Sequence, residues 1–403
     1  MFWKKKKYLN PESLRTKSLE YNRIIAENTY VGLYHPCNML IFGNEVDIEK
    51  YILANILQCN SSYVVTLRDP SVYHRTKSLL AKEGYKVEAL NLRDMNDSNC
   101  YNPLIYAQTD EELMHMVQLL CQNGYPENIN HDDVDALLWL MLHYTQQLPP
   151  AERTLKTANE LFRRFDFDRE DVLDSFSELF TVESAFASKC AAKVCSIPAN
   201  QLKGVIVAAA VVMAIWGLNQ INALTSKNEM DLITMGTHKR ALFILLPYLD
   251  TSFDGLANVL SYQLLNILSR QQCSQHVMVI TDTVVPGMQE LLHQAAARNL
   301  DINLCVHSIR PKHTDWKSVA ADFENIIYYS GDTAGLAYCA QQAGVRELFF
   351  VKAPKWRAGR SCETPKCCNM TPDQCLVILH KCLPYVDEKY NIEKHPRYQD
   401  YCV

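Results

Sequence analysis

The 403-residue chain has no run of the roughly twenty apolar residues that a membrane-crossing helix needs. The nearest is Gly204 to Leu218, bounded by Lys203 and by Asn219 and Gln220, and it predicts a buried helix. Paired C-x2-C knuckles are missing too, although there are 15 cysteines. Even the densest group, Cys362, Cys367, Cys368, Cys375 and Cys382, lacks zinc-site spacing, so no metal is expected. With no secretory signal read at the N-terminus, these cysteines are expected as thiols in a reducing cytosol rather than as a disulfide framework. A basic surplus is absent as well: the net charge of −5 leaves nucleic-acid binding to a local face. The one basic cluster, Lys4 to Lys7, is expected to be a solvated arm, with anionic lipid or nucleic acid as the functional alternative.

The last lack is chemical. Asn38 to Leu57, NMLIFGNEVDIEKYILANIL, reads as an apolar strand, one glycine, a short charged loop and an amphipathic helix, which is the outline of a phosphate-binding loop. Such a loop needs several glycines to wrap the phosphates, a lysine to reach them, and a Ser or Thr hydroxyl for magnesium. Here Gly43 stands alone, followed by Asn44, and Glu45, Asp47 and Glu49 put carboxylates where an anion would sit. Lys50 is the only cation in reach, from the first helical turn.

What is present is a sizeable core, since 48% of the residues are hydrophobic. Asn10 and Pro11 predict a helix from Pro11 to Ala26 in an N-terminal arm, 1–30. Strands at Met39 to Phe42, Ser62 to Thr66 and Tyr85 to Leu92, separated by helices, predict a doubly wound α/β sheet over 31–108. Only helical periodicity follows over 109–224, an all-α domain; Trp139, Met141, His143 and Tyr144 on one of its helices are read as packing residues. The α/β pattern resumes over 225–352: Ala241 to Pro247 has no alternation and reads as a strand buried on both faces, His276 to Ile280 is another buried strand, and Ile302 to His307, Asn325 to Tyr329 and Leu348 to Val351 supply three more. Residues 353–403 read as a C-terminal tail.

Several stretches together resemble the TraG/TraD-type coupling proteins, the membrane-bound ATPases that feed relaxase-bound DNA into conjugative type IV secretion channels, in the branch carried by Gram-positive integrative elements. They are the strand-loop-helix ending ANIL, SYVVT with YHRTKSLLAKEGYKVEALNL, CYNPLIY, LTSKNEMDLITMG, ALFILLPYLDTSFDGLANVLSYQLLNIL and NMTPDQCLVILHKCLPYVDEKYNIEKHPRY. The resemblance runs from about residue 30 to 398 and implies a RecA-like P-loop NTPase core, a mostly parallel sheet flanked by helices, interrupted by an all-α domain.

Each catalytic position departs from that family. Where the family resembles G-x-x-G-x-G-K-[ST], this chain has the shorter GNEVDIEK, with Asp47 near the lysine position. A DPKGE-like motif is replaced by Leu67-Arg68-Asp69-Pro70-Ser71. The Asp-Glu pair at the end of the second core strand becomes Thr281-Asp282, and the γ-phosphate-sensing glutamine becomes His307. The resemblance therefore implies a vestigial site at Gly43, Asn44, Glu45, Asp47, Lys50, Thr281, Asp282 and His307. Two readings follow. In one the protein is a catalytically inactive paralogue without cofactor, acting on type IV secretion components, the relaxase, an active coupling ATPase or DNA, as an oligomer or alone. In the other, ATP and Mg are retained, with Lys50 reaching phosphate and Asp282 holding the metal. In either case the expected location is the cytoplasm, at the inner face of the plasma membrane only peripherally or through a partner.

Overall fold

A computed structural model describes residues 8–122, 124–125, 128–167, 172–180, 184–307, 315–344, 347–350 and 367–402; Lys4 to Lys7, Val351 and Cys362 lie outside them. The chain forms two compact units, Met1–Val87 with Ile233–Phe243 and Leu265–Val403, and Glu88–Leu232 with Ile244–Leu264.

One nine-stranded sheet contains β1 (Met39–Gly43), β2 (Ser62–Leu67), β3 (Lys86–Asn91), β4 (Arg240–Leu245), β5 (Val277–Thr281), β6 (Leu300–His307), β7 (Asn325–Tyr328), β8 (Gln374–Ile378) and β9 (Tyr385–Glu388). Their order is β9-β8-β7-β1-β6-β5-β2-β4-β3. Strand β1 runs parallel to both β6 and β7, and β5 parallel to β2 and β6. Every residue of β1, β4, β5 and β7 is buried, as the unalternating sequences require of strands covered on both faces. Helices α1 (Glu45–Ile56) and α2 (Ser71–Lys82) follow β1 and β2.

Three expectations are corrected. The predicted helix Pro11 to Ala26 consists of two 3-10 turns, Pro11–Leu14 and Leu19–Tyr21, and then strand Asn22–Ile24, which pairs antiparallel with Tyr30–Gly32. Asn22 causes the break: its amide bonds the backbone of Thr16 and Ser18 on its own arm, competing with helical bonding. The strand expected at Leu348 to Val351 is Glu347–Phe350, and it pairs with Cys367–Met370 in a separate two-stranded sheet rather than joining the core. The stretch read as a tail carries β8 and β9, an antiparallel hairpin that extends the sheet beyond β7.

A buried charge cluster anchors the first unit. Arg23 pairs with Asp301 at the start of β6, and its guanidinium also donates to the carbonyls of Gly32, Leu33 and His35 at 3.0, 3.1 and 2.9 Å. Asp301 also meets His276 Nε2 at 2.9 Å. Burial pushes the Asp301 carboxyl up, but Arg23 and His276 together outweigh it and hold the group below its ordinary value.

In the second unit, α3 (Asp110–Cys121) begins with a Thr109–Glu112 capping box. The next helix, α4 (His131–Gln147), buries Trp139 and Met141; the Trp139 ring stacks on His143 at 4.7 Å, and its Nε1 donates to the Asp110 carbonyl. Helix α5 (Ala199–Ala214) continues as a 3-10 turn to Gly217, giving 19 residues that are by length and composition apolar enough to cross a membrane. It was expected to be buried, yet less than half of it is. Leu202, Val205, Ile206, Ala209 and Val212 face inward, while Val207 and Val211 are exposed at helical spacing.

Candidate functional site

The carboxyl ends of β1, β2, β5 and β6 lie side by side, which is where open parallel sheets bind ligands. Gly43 closes β1 opposite His307 at the end of β6. Only Asn44 separates Gly43 from the first residue of α1, so the charged loop expected here is absent: Glu45 and Asp47 occupy the first helical turn and Lys50 the next. Asn44 caps the helix, its side-chain oxygen accepting from the Asp47 amide at 2.9 Å, and its carbonyl accepts from the Ile48 amide at 3.1 Å. A Cβ added to Gly43 would stand 3.0 Å from Ile48 Cγ1. That glycine permits close strand–helix packing, and its φ is not among the positive ones.

Asp47 faces the residues just past β7 and β9. Its carboxylate accepts from Lys389 Nζ at 2.9 and 2.8 Å and from Ser330 Oγ at 3.1 Å. Ser330 Oγ in turn accepts from the Asn44 amide at 2.8 Å. The positive end of the helix is thus matched by the protein's own carboxylate and capping amide.

On the other side of α1, the strand ends enclose a narrow cleft lined by Glu45, Glu49, Arg68, Asp69, Asp282 and His307, with an open volume of about 10 Å³. That is the space of about one water, against the several hundred Å³ of a small-molecule site. Asp282 faces Arg68 Nε at 3.3 Å and accepts from Thr283 Oγ1 at 3.2 Å. Thr281, buried at the end of β5, accepts from the Thr283 amide at 3.1 Å. Of the residues singled out from sequence, Glu45, Glu49, Asp282 and His307 meet in this cleft, Asp47 points elsewhere, and Lys50 is exposed and does not line it. Sequence reasoning missed Lys389 and Ser330, which carry no local motif. Among the described residues, no three His, Cys, Asp or Glu side chains are arranged to hold a metal.

Burial, then the neighbouring Asp69 and Glu45, push the Glu49 carboxyl up to about 7. A raised folded-state value means that the stabilisation from Glu49 is complete below its unfolded value of 4.5 and is lost as pH rises through 7. Glu49→Gln is therefore expected to stabilise the protein at pH 8 and to change little at pH 4.5. Urea midpoints at the two pH values check this, and equal shifts at both would contradict it.

The family model described as type IV secretory system conjugative DNA transfer matches residues 50–279, more than half of the chain. The match opens past the Gly43–Asn44 junction and closes before Asp282. Among solved structures, plasmid coupling protein TrwB in complex with ADP and Mg2+ is 11% identical with a TM-score of 0.61, covering 94% of this chain and 90% of that one. TrwB with a non-hydrolysable GTP analogue is 12% identical with a TM-score of 0.63, covering 94% and 91%. TrwB with a non-hydrolysable ATP analogue is 11% identical with a TM-score of 0.62 and the same coverage. At these identities the likeness is one of fold. No curated protein sequence matches.

Proposed function

Because the chain belongs to the type IV secretory system conjugative DNA transfer family, we propose that it is a coupling-protein-like component of that process which does not turn over ATP. It acts by contact, with an active coupling ATPase, the relaxase or secretion-channel components, and with DNA as a further partner. It reaches the inner face of the plasma membrane peripherally or through such a partner.

One observation carries this reading. The junction between β1 and α1 is a single residue, and the helix end that would hold phosphate is matched by Asp47 instead. Phosphoryl transfer relies on several charged parts acting together, and losing them jointly is not compensated by the one that remains. The competing reading, with ATP and Mg retained, has in its favour that TrwB structures hold ADP with Mg2+ or nucleotide analogues. Against it stand the exposure of Lys50, the pairing of Asp282 with Arg68 and the narrowness of the cleft.

The test is nucleotide binding by the purified protein. A ligand at a hundred times its Kd stabilises the folded state by about 2.7 kcal/mol. Millimolar Mg-ATP is expected to leave the melting temperature unchanged and to release no phosphate above the protein-free rate. A Mg-dependent rise that disappears in Asp282→Asn or Lys50→Ala would overturn the proposal. Co-purification with an active coupling ATPase would support the partner role.

A further inference from the structure

The nine-stranded sheet ends at β9, and a terminal strand presents backbone groups that take up another chain unless something covers them. Two segments of the first unit cover part of this edge. Just before β9, the Leu9 amide donates to the Lys381 carbonyl at 2.8 Å, and Leu9 bridges Cys382 in parallel. At the far end the Glu27 amide donates to the Glu388 carbonyl at 2.9 Å. The ladder fixes what lies between. Lys389 donates its amide to the Asp373 carbonyl, so Asp387 and Tyr385, two and four residues earlier, are the residues bonded to β8. Val386 therefore turns its N–H and C=O outward, and among the described residues neither has a partner.

At this gap lies a cavity of about 370 Å³, the size of a small-ligand site. Leu9, Pro11 and Val386 give it apolar walls, and Tyr8 and Tyr385 aromatic ones. Its charge is of one sign: Glu12 and Asp387 line it, and among the described residues no Lys, Arg or His does. Asp387 is 3% exposed and accepts from Thr29 Oγ1 at 2.6 Å, the Asn28 side-chain amide at 2.9 Å, and the backbone amides of Asn28 and Glu388 at 3.2 and 2.7 Å. All of these donors are neutral, so its charge has no counter-ion in contact. Because Thr29 gives its one hydroxyl proton to Asp387, the 2.8 Å bond between Thr29 and Tyr385 is donated by the tyrosine, whose oxygen is left as an acceptor. The Glu12 carboxylate is exposed and has no partner among the described residues.

We propose that this cavity binds a short extended peptide carrying a lysine or arginine, which pairs its backbone with Val386 and directs its basic side chain to Glu12, Tyr385 and the field of Asp387. The match is twofold. One residue of an antiparallel partner supplies both the carbonyl and the amide that Val386 needs. A basic side chain brings donors and positive charge to acceptors and negative charge, and its methylene stem suits the apolar walls. The covers at Leu9 and Glu27 restrict the peptide to a few residues, which leaves the edge closed to long-strand pairing. The cavity shares no lining residue with the cleft beside α1, so it operates whether or not the chain turns over ATP.

Amide NMR of the isotope-labelled full chain tests this, with the blocked tripeptide valyl-lysyl-valine amide as the probe. Saturable shifts are expected at Val386 and its neighbours at millimolar peptide, with β5 unchanged. Replacing the lysine by glutamate, and separately N-methylating the peptide's backbone amides, are each expected to weaken binding by about 3-fold or more, through lost charge attraction and lost hydrogen bonds. Glu12→Lys, a change at an exposed position, is expected to weaken the lysine peptide by a similar factor and to strengthen the glutamate peptide, a reversal of preference that a folding defect would not produce. The absence of a saturable shift at Val386 would overturn the proposal. So would undiminished binding of the N-methylated peptide, or equally tight binding of putrescine, which would mark a site for free organic cations instead.

Discussion

Replacing Arg23 with alanine is expected to destabilise the first unit by about 3–5 kcal/mol, the cost of stranding a buried charge. The magnitude follows from what is left behind. Asp301 is 1% exposed and would keep His276 but lose its guanidinium, and the carbonyls of Gly32, Leu33 and His35 would lose donors inside the protein. An unpaired buried acceptor costs about 1–3 kcal/mol if water cannot enter, and water entering the gap left by the guanidinium keeps the total within that range. The pair itself need not be stabilising relative to apolar packing. Arg23→Met/Asp301→Leu is therefore expected to cost clearly less than Arg23→Ala. Urea unfolding, with exchange at β6 amides as the local reporter, measures both; a double variant worse than the single would refute the stranded-charge account.

Trp139→Ala is expected to cost the second unit about 3–5 kcal/mol, the range for truncating a large aromatic in a core. Trp139 is wholly buried, stacks on His143, lies 5.1 Å from Phe186, and donates its indole N–H to the Asp110 carbonyl at the start of α3. Truncation removes the packing and leaves that carbonyl without its donor. Trp139→Phe, which fills most of the space, is expected to recover more than half of the loss. The two units give the experiment a built-in control: Trp139→Ala should loosen amides of α4, and Arg23→Ala amides of β6. If each substitution loosened both sets equally, the assignment of the two effects to separate units would fail.

Much of the core was legible because parallel strands buried on both faces leave a plain signature. LIF at Leu40 to Phe42, ALFIL at Ala241 to Leu245 and VMVI at Val277 to Ile280 have no polar alternation, and each is a strand. The arm was misread because the Asn10–Pro11 start signal is local, whereas what fixes Asn22–Ile24 as a strand is the distant demand that Arg23 reach Asp301. The site was half legible. The missing lysine and glycines could be read directly, but the identity of the counter-ion could not. Lys389 lies 342 residues from Asp47, and an ion pair across that distance leaves no periodicity or spacing to detect. Nor could sequence reveal that the charged residues after Gly43 belong to the helix, since Asn44 serves equally well as a loop residue or as an N-cap.

The place of β1 in the sheet has a kinetic consequence. Its two neighbours are β6 and β7, with Met39 opposite Asn303 on one side and Asn325 on the other. At a ribosome adding about 5–20 residues per second, the apolar strand MLIFG therefore emerges tens of seconds at most, and at least about thirteen seconds, before either partner exists. During that interval it can only be shielded by transient contacts or by a chaperone. Closure of so distant a pair also makes folding slow relative to the chain's helices, whose contacts are local. Moving β1 next to its neighbours by circular permutation is thus expected to speed refolding even where it leaves equilibrium stability unchanged.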